Sequence, residues 1–159
     1  MSESSSIANV SETRGSTSRP GIAAGFSDSI WAYAILRVSF GANIMLHGVS
    51  RLLMGHTAFL AYLTHYFEKT TVIPAAMLPA FATVLPWVET TLGLLLMIGL
   101  ATRFALIAGA LVITCLVIGT NLAQDWLVSG LQLIYAFLYY YLLTHREENR
   151  YSVDVLLGK

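Results

Sequence analysis

The segment LPAFATVLPWVETTLGLLLMIGL, residues 78–100, decides the fold. It has the length of a helix that crosses a hydrocarbon core, which takes about 20 mostly apolar residues. Its only ionisable side chain is Glu89. Three more stretches of the same kind lie on either side of it, roughly at 30–49, 103–120 and 126–144. All four must be helical, because a bilayer offers an exposed backbone no water to hydrogen-bond. Short links at Ala101–Thr102 and Asn121–Gln124 make the last three spans antiparallel neighbours. The expected fold is all-α, an integral membrane four-helix bundle.

Composition agrees with this reading. Of 159 residues, 56% are hydrophobic and only 11% charged, against roughly 25% charged in an average soluble domain. So few charges could not cover a soluble globule. The formal net charge is +0, which argues against nucleic acid as a partner, because duplex binding needs a basic surface. The single cysteine, Cys115, excludes a disulfide framework or a Cys-x-x-Cys pair within the chain. It reads as a small core residue of the third span.

Residues 1–29 are a different material, rich in Ser, Gly and Thr and without an apolar period. They read as a disordered tail, and residues 30–159 as the membrane domain. A secretory signal would place a short basic region directly before its apolar stretch. A Ser-rich head comes first here, so the first span is expected to be retained. The loop between the first two spans contains HTAFLAYLTHYFEK, with Phe59, Leu60, Leu63 and Phe67 at helical spacing. That pattern predicts an amphipathic helix on the membrane surface or capping the bundle. Ala101, Ala105 and Gly109 recur every four residues, the small-residue spacing of a close helix contact. Trp31, Trp87 and Trp126, with Tyr139 to Tyr141, are partly interfacial, and most of them read as anchors at the membrane surface.

Counting Lys and Arg by side sets the topology. Arg14, Arg19, Arg103, Arg146, Arg150 and Lys159 share the side of the termini, against Arg51 and Lys69 opposite. By the positive-inside rule both termini face the cytoplasm.

The function must lie in the polar groups that the membrane tolerates. Arg37 and Glu89 both fall inside spans, where a charge costs about 3 kcal/mol or more and faces the bundle interior with a partner. Counted from the inner ends of their spans at 1.5 Å per residue, Arg37 is about 10 Å deep and Glu89 about 16 Å. An arginine side chain bridges the difference, so an Arg37–Glu89 pair is predicted. It reads either as structural glue between two helices or as a proton-accepting carboxylate beside a polar cavity. Asn43 and His47 are four apart and share a face of the first span. His47 near the outer end reads either as an interfacial, hydrogen-bonded side chain or as a proton donor or acceptor. Gln132 in the outer third of the fourth span could face the same region. A metal site is not expected, since His47, His56 and His65 are nine residues apart and form no helical zinc pair. A haem would need two histidines at one depth, whereas His47 and His145 lie at opposite ends. No nucleotide-binding fingerprint is present.

These residues carry a resemblance. LRVSFGANIMLHGVSRL, with Arg37, Gly41, His47 and Gly48, and VETTLGLLLMIGLATR, with Glu89, Gly93, Gly99, Leu100 and Arg103, resemble the first two helices of the DoxX family of small membrane proteins. The tail NRYSVDVLL is similar to the ending of the DoxD-like branch, subunits of thiosulfate:quinone oxidoreductases. The resemblance implies a four-helix bundle in a bacterial or archaeal inner membrane, associated with an oxidoreductase that feeds electrons to quinone. On that reading Glu89, Arg37 and His47 would handle protons, and Asn43 and Gln132 would line a quinone or polar cavity. The partners would be the lipid bilayer and an oxidoreductase subunit. The alternatives are a non-catalytic membrane scaffold or assembly factor for partner redox enzymes, and a small transporter. Four spans without an internal repeat or broken helix weaken the last of these.

Overall fold

The computed structural model describes residues 21–69 and 73–158. The architecture is all-α, with no strand among the described residues. Six α-helices follow one another among the described residues: α1 (Gly21–Met54), α2 (His56–Tyr66), α3 (Leu78–Ile98), α4 (Thr102–Leu122), α5 (Trp126–Thr144) and the short α6 (Val153–Leu156). Helices α1, α3, α4 and α5 are each long and apolar enough to cross a membrane. The first turns of α1 described with side chains and the residues after α5 gather at one end of the bundle, called here the tail end. The opposite end carries α2.

The spans fall where hydropathy placed three of them, but α1 is longer than its apolar stretch. Its backbone is helical from Gly21, so residues 21–29, expected in the disordered head, continue the helix. The rest of that head, residues 1–20, lies outside the described residues. At its other end α1 runs on to Met54 and carries Arg51 in its last turn. Gly55 then turns the chain at φ 86°, a left-handed conformation open to glycine. The amphipathic segment forms α2 as expected, burying Phe59 and Leu63 against Ala82 and Leu85 of α3.

Close backbone approach joins α1 to α3. A Cβ on Gly41 would lie 2.6 Å from the Met97 amide nitrogen, and one on Gly48 2.5 Å from the Pro86 carbonyl oxygen. Gly93 faces the Met45 backbone in the same seam. Lipid tails are as apolar as side chains, so membrane helices associate through such close packing rather than through hydrophobic exclusion from water. On α4 the small-residue row serves α5: Ala105 is fully buried, and Gly109 makes room for the Tyr139 ring. Ala101, its first member, lies outside the helix at φ 48° and is exposed. Trp31, Trp87, Trp126 and Tyr140 point outward, whereas Tyr139, expected with them at the membrane surface, is buried against the Phe40 ring because α5 turns it toward α1 and the gap at Gly109. Cys115 is also exposed, a correction to its expected place in the core: it sits on the outward side of α4.

Candidate binding cavity and its charged pair

Glu89 is buried on the inner face of α3, and its partner is Arg51 rather than Arg37. The Arg51 Nη1 donates to Glu89 Oε2, and the guanidinium also lies over the Phe59 ring, 5.5 Å from its centroid. The half-buried Arg51 guanidinium neutralises the buried Glu89 carboxylate, which is the condition for holding that charge at membrane depth.

Arg37 is a full two turns away. Its Nη1 donates to the Leu96 carbonyl and to the Met97 carbonyl (3.2 Å), and its Nη2 donates to the Tyr151 carbonyl at 2.6 Å. It therefore caps the last turn of α3, where the carbonyls run out of regular i+4 amide partners, and ties the C-terminal tail to it. The predicted Arg37–Glu89 pair is thus overturned. The two depths were counted from a shared inner boundary that the helices do not have. Helix α1 runs past the end of α3 at the tail end, so Arg37 stands level with Leu96 and Met97, about 10 Å along the helix from Glu89 at 1.5 Å per residue.

A cavity of about 220 Å³ opens beside the Arg51–Glu89 pair, between α1, α3, α4 and α5. Its polar lining is His47, Arg51, Glu89, Gln132, Tyr135 and Tyr139, and its walls are otherwise apolar, among them Ile44, Leu92 and Ile113. Arg51, Leu116, Val128 and Gln132 also line a larger groove of about 810 Å³ beneath α2. The two spaces therefore adjoin. The Gln132 Oε1 accepts from the Thr120 hydroxyl at 2.8 Å, which fixes the amide and leaves its N–H groups for the cavity. Asn43 stands outside the lining. Its Nδ2 donates to the Tyr135 hydroxyl at 3.4 Å, and the His47 ring meets Tyr135 edge-on at 6.3 Å.

The structure thus brings together three of the five residues singled out from the sequence: Glu89, His47 and Gln132 share one cavity, Asn43 borders it, and Arg37 is elsewhere. Sequence reasoning missed Arg51, Tyr135 and Tyr139. For Arg51 the signal was present. Asn43, His47 and Arg51 are four apart in succession and lie on one helical face; the apolar window ended before Arg51 and hid it in a loop. The α2 end of the groove is closed by Tyr66, whose hydroxyl donates to Asp125 Oδ2 at 2.8 Å, while Asp125 Oδ1 caps α5 through the Val128 amide. Burial pushes the Tyr66 phenol well above its ordinary range, and its hydrogen bond to Asp125 adds to this.

The fold and cavity define a small multi-pass membrane protein with a neutralised charge pair beside an interior cavity. The DoxX family model matches residues 32–125, more than half of the chain. This protein belongs to the DoxX family. No curated protein and no solved structure matches the chain.

Proposed function

We propose that this DoxX-family protein is a membrane subunit that binds a quinone and manages its protons for a partner oxidoreductase. One observation carries the reading: a buried carboxylate, Glu89, held by Arg51 in the wall of a largely apolar cavity that adjoins a larger, mostly apolar groove. The residues present suit that ligand. A cavity of about 220 Å³ takes a single ring with its substituents, and the groove of about 810 Å³ takes an apolar tail. Arg51, the Gln132 amide and the tyrosine hydroxyls offer hydrogen bonds to oxygens on such a ring.

A quinone accepts two electrons and two protons on reduction. This chain's residues would supply the protons and the enclosure. Glu89 would take up a proton and hold it on a carboxylate oxygen, and Arg51, freed from it, would donate to a ligand oxygen instead. His47 shares the lining and can relay a proton through either ring nitrogen. The apolar walls keep bulk water from the site. Electrons would come from a partner subunit. Thiosulfate is the donor that the DoxD-like tail NRYSVDVLL suggests. The arginine distribution supports an orientation in a bacterial or archaeal inner membrane with both termini in the cytoplasm.

The test is purification in mild detergent, with mass spectrometry of the organic extract and titration with a short-chain quinone. Wild type should carry quinone near one per chain. Ile113→Trp, which fills the cavity, should lose most of it. Glu89→Gln should keep the quinone but lose donor-dependent quinone reduction in membranes at least tenfold. A quinone-free extract together with no saturable binding would overturn the reading. The rival is a non-catalytic scaffold, favoured by the fact that Arg51 and Glu89 already neutralise each other. Under it, Arg51→Leu with Glu89→Leu leaves partner activity intact.

A further inference from the structure

The tail end holds a second space, about 620 Å³, between the start of α4 and the C-terminal tail. Its lining includes Arg103 from α4 and Arg146 and Arg150 from the tail. Among the described residues these three arginines make no ion pair. Two carboxylates also line the space. That of Asp154 is committed, since its two oxygens accept from the Ala101 and Thr102 amides at 2.7 Å each. Glu147 is the other, which leaves three guanidinium groups against one uncommitted acid. Guanidinium groups that converge on a site match a phosphate, which they bind through paired hydrogen bonds.

The same space continues onto an apolar surface. Phe104 and Ile107 belong to its lining, and with Leu111 they are exposed at 64%, 41% and 64%. Their spacing of three and then four residues places them in one row along α4. A basic cluster at the end of a span, directly above an apolar row that faces outward, matches a molecule with an anionic head and an acyl chain. The half-buried Asn149 adds a third element. Its Nδ2 donates to Thr102 Oγ1 at 3.3 Å, and its Oδ1 has no hydrogen-bond partner. An orphaned buried acceptor costs about 1–3 kcal/mol, and a turn of the Asn149 side chain, which lines the space, would bring its amide to a hydroxyl on the ligand's head.

We propose that the tail end of the bundle binds an anionic glycerophospholipid such as phosphatidylglycerol. Its phosphate lies among Arg103, Arg146 and Arg150, a headgroup hydroxyl reaches Asn149, and an acyl chain runs along Phe104 and Ile107. The site does not depend on the quinone reading, since it lies at the opposite end of the bundle from the Arg51–Glu89 cavity. Occupied, it would pin the tail to α4, because two of its arginines are on one and the third is on the other.

The experiment is native mass spectrometry of delipidated full-length protein in a neutral detergent, titrated with phosphatidylglycerol, phosphatidylcholine and glycerol 3-phosphate. Phosphatidylglycerol should bind at least tenfold more tightly than phosphatidylcholine. Replacing the three arginines by Gln should weaken it roughly 100-fold, from the contribution of each cation near an anionic lipid, and the corresponding Lys triple should retain most of the binding. Phe104→Ser with Ile107→Ser should weaken the lipid and leave glycerol 3-phosphate unchanged. Equal binding of the two phospholipids, or an unaffected Gln triple, would overturn the site. Glycerol 3-phosphate binding as tightly as the lipid would overturn the lipid as its occupant. Should the Gln triple fail to fold, wild type in rising salt decides: phosphatidylglycerol binding must weaken, and a salt-independent affinity refutes the proposal.

Discussion

Glu89 owes its place in the bundle to Arg51. Removing one member of a buried ion pair leaves an uncompensated charge, a loss of about 3–5 kcal/mol, whereas replacing both by apolar groups is often close to neutral. Arg51→Leu should therefore lower the melting temperature sharply, and adding Glu89→Leu should recover most of it. A double-mutant cycle separates the two arginines. Arg51→Gln and Glu89→Gln should couple by more than about 0.5 kcal/mol, while Arg37→Gln and Glu89→Gln should be additive. Coupling of Glu89 to Arg37 instead would refute the pairing. At this scale the sequence was half legible. That two charges inside spans need partners follows from elementary electrostatics, and Glu89 has one. Which arginine serves it depends on how far α1 slides along α3, and that offset is set by Gly41, Gly48 and Gly93 in the seam, not by hydropathy.

The elements are held at their ends by chain that is far away in sequence. Helix α3 stops at Gly99, whose φ of 69° allows the Leu100 amide to reach back to the Leu95 carbonyl at 3.0 Å and the Gly99 amide to reach Leu96. This is the six-to-one closure that glycine favours after a helix. Ala101 follows at φ 48°, a conformation that costs a non-glycine residue about 1–2 kcal/mol. Asp154 stabilises it there. Its carboxylate accepts from Ala101 and Thr102 as a cap on α4, and its own amide donates to the Gly99 carbonyl at 2.9 Å. The stretch GLATR is thus explained as a turn clasped by the tail, with Thr102 buried and Arg103 outward. Loss of a helix cap costs about 0.5–2 kcal/mol. Asp154→Ala should destabilise the protein by about that much, and Asp154→Asn, which keeps one acceptor oxygen, by less. Hydrogen exchange should locate the change at the first amides of α4. Faster exchange at the α2 end alone would contradict the clasp. The composition of residues 145–157 hints at none of this, because a cap supplied from more than 50 residues away leaves no local pattern.

At the scale of the whole molecule the four spans and the surface helix α2 were legible, because lipid and the backbone's need for hydrogen bonds leave few other solutions. The cavity was not, since a gap between four helices reflects their mutual offsets rather than any one sequence period. Its discovery sharpens the orientation. Arg51, counted beforehand with the loop, lies in the last turn of α1 and is neutralised by Glu89. The α2 end then keeps Lys69 as its one uncommitted cation among the described residues, while the tail end presents Arg103, Arg146 and Arg150. Lys and Arg near the ends of spans hold a segment on the cytoplasmic side, so the charge asymmetry is larger than a count by loops suggests. Labelling with a membrane-impermeant maleimide tests this. Cys115 is first replaced by Ser, and a single cysteine is introduced at Thr57 on α2 or at Glu147 in the tail, both exposed. In intact spheroplasts the cysteine at position 57 should react, and the one at 147 only after the membrane is permeabilised. The reverse pattern would place the termini outside, and with them the arginine site that we assign to an anionic lipid.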